Sequence, residues 1–305
     1  MILITEVMHP AGLSRLNEKK VLYEPALYQK TRQLQSLLRS SEALIVRNQT
    51  RVDRALLDQA PHLKVVGRLG VGLDNIDVEA LDERGIALVV PRGANSAAVA
   101  EYVMGALIAY GRRFESLVHE VRTGRWDRSM TTPGLRGRHL RVVGFGATGQ
   151  AVAERARGFG LVLSVYDPFI PDGTIPRAWR VASILDNLET VDYISLHVPE
   201  TPQTRSLINQ NLLSRLKSSA VLINTARGGL VDEEALQKWI EDNPSSGAIL
   251  DVRRAEPPGI GDGLLGCDRV WTTPHVAGLT DESQKAIAIW VADEVKTFLY
   301  ERQEA

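Results

Sequence analysis

The chain has one cysteine, Cys267, in 305 residues. A single thiol excludes a disulfide framework within the chain and fits a reducing compartment. A charge surplus is missing too: 36 basic residues face 37 acidic ones, for a net charge of -1. Bulk binding to nucleic acid or a membrane surface usually shows as a basic excess, so neither partner is expected. A local anion site remains open. Long apolar runs are absent. The most apolar helix-like run, Val103 to Ala109, is bounded by Glu101 and Arg112, far short of the roughly 20 residues that span a bilayer. The opening Met1-Ile2-Leu3-Ile4-Thr5-Glu6 has no positive region and an early acid, which predicts no signal peptide and a cytoplasmic protein. The 25 Gly and 14 Pro show no period, which excludes collagen-like and low-complexity classes. The six His form no HExxH or zinc-spaced cluster, so no metal site is expected. No GxSxG elbow or P-loop occurs.

What remains is an ordinary globular composition, 44% hydrophobic and 24% charged, long enough for about two domains. Short β-branched runs alternate with helical stretches. Strands are predicted at Ile2-Thr5, Val21-Tyr23, Leu44-Arg47, Lys64-Gly67, Ala87-Val90, Leu140-Phe145, Val162-Tyr166, Tyr193-His197, Val221-Asn224, Ala248-Asp251 and Val270-Thr272. Helices are predicted at Pro25-Arg39, Asp53-Gln59, Val78-Arg84, Ser96 to about Gly124, Thr148-Phe159, Asn209-Leu216, Glu233-Asp242 and Thr280-Glu301. This alternation implies parallel βαβ units and an α/β fold. The last helix has no strand after it, which suggests that it packs back on the first domain.

One motif carries specific chemistry. Leu140-Arg-Val-Val-Gly144-Phe-Gly146-Ala147-Thr148-Gly149 is a strand running into G-x-G-x-x-G and then a helix. The first glycine permits the tight turn, the second lets backbone N–H groups approach a pyrophosphate, and the third lets helix pack on strand. The next strand ends at Asp167, 23 positions after Gly144, near the offset of about 20 for a ribose-binding acid. A carboxylate there accepts from both ribose hydroxyls and repels a 2′-phosphate, so NAD is expected over NADP.

Further ordered motifs are Val66-Gly-Arg68-Leu-Gly70-Val71-Gly72-Leu-Asp74-Asn75-Ile-Asp77, Gly93-Ala-Asn95-Ser96 with Val99-Ala-Glu101, His197-Val198-Pro199, Asn224-Thr225-Ala226-Arg227-Gly228-Gly229, Leu250-Asp251-Val252 with Glu256-Pro257, and Pro274-His275-Val-Ala-Gly278. In this order they resemble the D-isomer-specific 2-hydroxyacid dehydrogenases over nearly the whole chain, most of all the phosphoglycerate dehydrogenase group. The resemblance implies two Rossmann-like or flavodoxin-like parallel-sheet domains with an interdomain cleft. A discontinuous substrate domain would use 1–94 and 281–305. An NAD-binding domain would use 95–280, with a dimerisation arm at about 96–138 and hence a homodimer. It also implies a short form without a C-terminal regulatory domain.

The roles it implies fall residue by residue. His275 is similar to the family's acid/base, and Glu256 to its carboxylate partner, which fixes the tautomer and stabilises imidazolium. Arg227 resembles the Arg that clamps the substrate carboxylate and polarises the C2 carbonyl. Backbone N–H groups of Val71 and Gly72 would bind that carboxylate, with Asn95 nearby. Asp251 resembles the acid that holds the nicotinamide amide. Thr225, Ala226, His197, Val198, Pro199 and Gly278 would line the cofactor beside the glycine turn. His197 has a strand-end packing role as its alternative. Val99, Met104, Leu107 and Ile108, at helical spacing, read as core or subunit interface.

Arg47, after Leu44-Ile-Val, resembles an Arg that meets a distal phosphate, and Arg68 and the Trp126-Asp-Arg128 region match the same group. With Arg227 committed, these cations suggest a substrate with a second anion at C3: phosphate, sulfonate or carboxylate. Arg92 and Arg253 depart from the family pattern and would add positive charge near the cleft, which keeps sulfolactate open. A glyoxylate/hydroxypyruvate-type reductase and an NAD-sensing, corepressor-like binding protein remain alternatives.

Overall fold

The computed structural model describes residues 1–16, 20–171 and 173–300. The chain divides into two compact units, Met1–Asn95 with Leu279–Ala305, and Ser96–Gly278. In the first unit the order is β1 Ile2–Ile4, α1 Pro10–Arg15, β2 Val21–Tyr23, α2 Thr31–Leu38, β3 Ala43–Val46, α3 Arg54–Leu57, β4 Val65–Arg68, α4 Val78–Glu83 and β5 Ala87–Val89. These strands form one sheet ordered β2-β1-β3-β4-β5, parallel throughout. Both faces are covered, so β1 and β3 are apolar and buried at every position. Leu38, Leu57 and Leu81 pack on one face. Ile287, Val291 and Val295 of the C-terminal helix, Asp281–Tyr300, pack on the other.

The second unit begins with α5 Ser96–Gly111 and α6 Phe114–Arg122. It continues through β6 His139–Val143, α7 Ala147–Gly158, β7 Val162–Tyr166, β8 Tyr193–Leu196, α8 Gln210–Leu213, β9 Val221–Asn224, α9 Glu233–Asp242, β10 Gly247–Leu250 and β11 Val270–Thr272. Its six parallel strands are ordered β11-β10-β9-β8-β6-β7. The chain runs from β6 out to β7 and returns to β8 on the other side of β6. That reversal makes the carboxyl end of β6 a topological switch point, where open α/β sheets take their ligands.

The helix expected from Ser96 to Gly124 is two helices. Arg113 adopts φ 55 and breaks it. Val99, Met104 and Leu107 lie buried in the core beside β6, and Ile108 is half-buried against it. The short α1 was not among the expected helices. Pro10 occupies its first turn, where a missing N–H is harmless, and Gly12 lets α1 approach the Ala288 backbone of the C-terminal helix. The C-terminal helix was expected to run to Glu301, which lies outside the described residues. Among the described residues, no helix is long and apolar enough to cross a membrane.

Candidate active site

The glycine turn follows β6 directly. Gly144 has φ +92, and its backbone presses against the carbonyl of His197. A Cβ on Gly149 would run into the Gly144 carbonyl, while one on Gly146 would meet nothing. Two glycines therefore close the turn, and the third leaves its outer side open above the start of α7, where Ala147 is exposed and Thr148 is half-buried. The hydroxyl of Thr148 lies 3.3 Å from that of Ser96. Asp167, just past β7, is fixed against the turn. Its Oδ2 accepts from the Phe145 N–H at 2.8 Å and its Oδ1 from the Phe169 N–H at 2.9 Å. Each oxygen keeps a lone pair for a further donor.

The ends of β8 and β9 continue this rim. His197 pairs with Ser195 Oγ at 2.9 Å. Burial pushes its imidazole down to about 4, so the ring is neutral at pH 7. Val198 is half-buried and Pro199 exposed beyond it. The hydroxyl of Thr225 is buried without a hydrogen-bond partner among the described residues, which marks a polar atom waiting for a donor or acceptor.

After β9, buried Asn224 folds the chain back on itself. Its Oδ1 accepts from the Ala226 N–H at 3.0 Å and its Nδ2 donates to the Arg227 carbonyl at 2.8 Å. This staple presents Arg227, whose Nη1 donates to the Ala226 carbonyl at 2.6 Å. After β11 a second tight loop presents His275, at φ 57. Such a conformation costs a non-glycine residue on the order of 1 kcal/mol and needs support from its surroundings. Asp251, 1% exposed, supplies that support. Its Oδ1 accepts from Thr273 Oγ1 at 2.6 Å and from the Val276 N–H at 2.8 Å, and its Oδ2 from the Ala277 N–H at 2.8 Å. Its carbonyl accepts from the His275 N–H at 2.9 Å. Oδ2 alone has room for another donor. Gly278 closes this loop.

His275 Nδ1 lies 2.9 Å from Glu256 Oε2, with side chains 50% and 41% exposed. A carboxylate can only accept. The proton therefore sits on Nδ1, and Nε2 keeps a lone pair with which to take a proton. Arg227, Glu256 and His275 all belong to the second unit.

In the first unit, Arg47 and Arg68 follow or end adjacent strands, with Val46 in register with Arg68. Arg68 Nη1 donates to the Leu69 carbonyl at 3.1 Å, and its guanidinium lies against Gly70. Next to it, Val71 is exposed and Gly72 buried. Asn95, half-buried, is the last residue before the second unit. The Arg47 loop is organised by Glu6, a buried carboxylate after β1. Oε1 accepts from the N–H groups of Arg47 and Thr50, both at 2.9 Å, and Oε2 from those of Asn48 at 3.0 Å and Gln49 at 2.8 Å. Burial raises this carboxyl, but the N–H groups of Gln49, Thr50 and Arg47 outweigh it and hold it below the usual carboxylate range.

The family described as "D-isomer specific 2-hydroxyacid dehydrogenase, NAD binding domain" matches residues 104–277. The chain is 40% identical over 305 residues to the (S)-sulfolactate dehydrogenase of Chromohalobacter salexigens, covering 98% of each. The chain belongs to the D-isomer specific 2-hydroxyacid dehydrogenases. It is also 38% identical over 301 residues to the D-3-phosphoglycerate dehydrogenase of Methanocaldococcus jannaschii, where the match takes in 98% of this chain and 57% of that relative's length. A solved D-lactate dehydrogenase from Aquifex aeolicus, complexed with NAD and lactic acid, aligns with TM-score 0.86 at 28% identity, covering 100% of this chain and 97% of that one.

Membership makes the chain an NAD-binding oxidoreductase, and the second unit fits that cofactor. The open Gly146 corner suits a pyrophosphate, the fixed Asp167 carboxylate a ribose, and the orphaned Thr225 hydroxyl a polar group farther along the rim. One expectation about this dehydrogenase is corrected. Arg253 brings no charge to the site, because it is 4% exposed and its guanidinium is neutralised by Glu233 and Asp262. Arg92 and Arg128 are exposed. Glu6 and Glu233 escaped the sequence reading. Their partners are backbone groups or distant side chains, so no short motif announces them.

Proposed function

We propose that this dehydrogenase interconverts a 2-hydroxy acid and the corresponding 2-oxo acid, and that its substrate carries a second anion at C3. The observation that carries the redox reading is the contact of His275 Nδ1 with Glu256 Oε2. It leaves Nε2 as the base for the substrate hydroxyl, while Glu256 stabilises the imidazolium that forms. Arg227 takes the substrate carboxylate through its planar fork and draws charge from the C2 oxygen. The first unit offers the N–H groups of Val71 and Gly72 as donors for a carboxylate. NAD, when bound, supplies the hydride acceptor. Gly144, Gly146, Ala147, Thr148 and Gly149 hold its phosphates and Asp167 its ribose. His197, Val198, Pro199, Thr225, Ala226, Asp251 and Gly278 form the rest of its rim.

The C3 anion is supported by Arg47 and Arg68 at the carboxyl ends of neighbouring strands, and by likeness to relatives named for sulfolactate and phosphoglycerate. The test is NADH oxidation with sulfopyruvate, 3-phosphohydroxypyruvate, oxaloacetate, hydroxypyruvate, glyoxylate and pyruvate. The C3-anionic acids should lead in kcat/KM by roughly 30-fold or more, the factor for about 2 kcal/mol from a desolvated charge pair. Equal use of the neutral acids would remove the C3 anion from the account. No turnover with any of the six would favour an NAD-sensing protein.

The same reading includes a homodimer built on α6. Phe114, Val118 and Val121 repeat along one helix face and remain exposed, and the helix buries none of its residues. Sedimentation velocity should show a dimer, and a monomer at micromolar concentration would refute it.

A further inference from the structure

We propose that Arg253 is a positioning residue for Glu256, and through it for His275. This rests on the reading of His275 and Glu256 as the acid/base pair. Glu256 lies in an exposed loop. Arg254, Ala255, Pro257, Gly259, Ile260 and Gly261 around it are all exposed, so apolar burial does not hold the loop. Its two ends are joined through one guanidinium. Arg253 Nε and Nη2 donate to the two oxygens of Glu233, each at 3.0 Å, and Nη2 also donates to Asp262 Oδ2 at 2.7 Å. Arg253 opens the loop and Asp262 closes it. Asp262 is itself set by the N–H groups of Leu264 at 3.0 Å and Leu265 at 3.3 Å.

The anchor is rigid. Glu233 is the first residue of α9, which is capped by Asp232 and packed into the core through Leu236, Trp239 and Ile240. Its Oε1 also accepts from the Arg254 N–H at 2.8 Å, so one carboxylate holds side chain and backbone of the loop's start. The Arg253 N–H is thereby aimed at Glu256 Oε1, at 3.1 Å, while Glu256 Oε2 faces His275. The Arg227 turn rests on the same peptide. Any Cβ on Gly228 would overlap the Arg253 backbone. The segment from Asp251 to Arg253 thus supports all three groups of the site.

A stability role alone is a poor account of this cluster. A buried ion pair returns little net stability compared with apolar residues of the same volume, and Arg253 Nη1 is left buried without a hydrogen-bond partner among the described residues. A planar fork with fixed partners instead defines where a loop sits.

The test is a double-mutant cycle on the full-length protein, with sulfopyruvate or 3-phosphohydroxypyruvate and NADH. R253M should lower kcat on the order of 10- to 100-fold, the effect of a misplacement of about 1 Å, with NADH affinity within about twofold of wild type. R253K should recover part of the loss. In an E256Q background, R253M should change kcat by less than about twofold, because residues acting through one group are not additive. E233Q keeps a neutral acceptor at the same place, and should lower kcat in the same direction if R253M does not fold. Wild-type kcat in R253M or in a folded E233Q would overturn the proposal. So would equal losses with and without E256Q, or a loss confined to NADH binding. If E256Q alone leaves kcat unchanged, the acid/base pair itself fails, and the inference falls with it.

Discussion

Replacing Glu6 by glutamine changes one atom and should be costly. Four backbone N–H groups converge on this carboxylate, two on each oxygen. Glutamine can serve only two of them. Thr50 is buried and Arg47 half-buried, while Asn48 and Gln49 are exposed. The amide will therefore keep its oxygen on Arg47 and Thr50 and turn its nitrogen toward two N–H groups that water can reach. A hydrogen bond to a charged group contributes about 1.5–3 kcal/mol. Two are lost and two become neutral, so water recovering part of the deficit still leaves roughly 3 kcal/mol. For a unit of about 120 residues, that lowers Tm by about 10 °C. The effect has a pH signature. The carboxyl is held below its ordinary 4.5 by the N–H groups of Gln49, Thr50 and Arg47, against the opposing effect of burial. Its stabilisation is fully present above about pH 4.5 and is lost as pH falls through the lowered folded value. Thermal unfolding by circular dichroism should show a large gap between wild type and E6Q at neutral pH, and a narrower one near the acid limit. A drop below about 3 °C at neutral pH, or a gap that does not narrow in acid, would refute the reasoning. The same loop carries Arg47, so E6Q should also raise KM for C3-anionic acids more than for pyruvate.

Other expectations follow from the site. Arg227→Ala should reduce transition-state stabilisation by roughly 2–5 kcal/mol, read as kcat/KM, with NADH affinity retained; a loss confined to NADH affinity would count against the clamp. Asp167→Ala should relax the preference for NAD over NADP, and an unaltered ratio in steady-state kinetics would remove the ribose contact. Half-buried His197 is neutral with its imidazole near 4, whereas the unfolded ring binds a proton at about 6.5. It therefore favours unfolding progressively as pH falls from about 6.5 to 4. His197→Gln should flatten that part of the Tm–pH curve, and an unchanged slope would contradict the burial argument.

The parallel strands were legible because each is a short β-branched run between turn residues, and burial on both faces keeps such runs apolar. The glycine turn was legible for a different reason: its chemistry needs glycine at fixed spacing, so function and sequence coincide within six residues. What could not be read was the wiring between distant positions. Arg253 looked like added charge because its neutralising partners, Glu233 and Asp262, come from another helix and from the far end of its loop. Glu6 looked like an acid after a strand because its four partners are backbone N–H groups more than 40 positions away. The break at Arg113 was missed because apolar periodicity runs on into α6, whose Phe114, Val118 and Val121 face solvent. Periodicity reports that a face is apolar, and leaves open what covers it.

The central claim is that His275 Nε2, set by Glu256, exchanges the substrate proton in an NAD-dependent 2-hydroxyacid dehydrogenase. The most direct measurement is NADH consumption at saturating sulfopyruvate or 3-phosphohydroxypyruvate by wild type and His275→Gln, with NADH binding followed by fluorescence in the same preparations. General acid–base catalysis contributes about 10²–10⁴-fold, so His275→Gln should lose kcat on that order and bind NADH as wild type does. Wild-type turnover in His275→Gln would contradict the account.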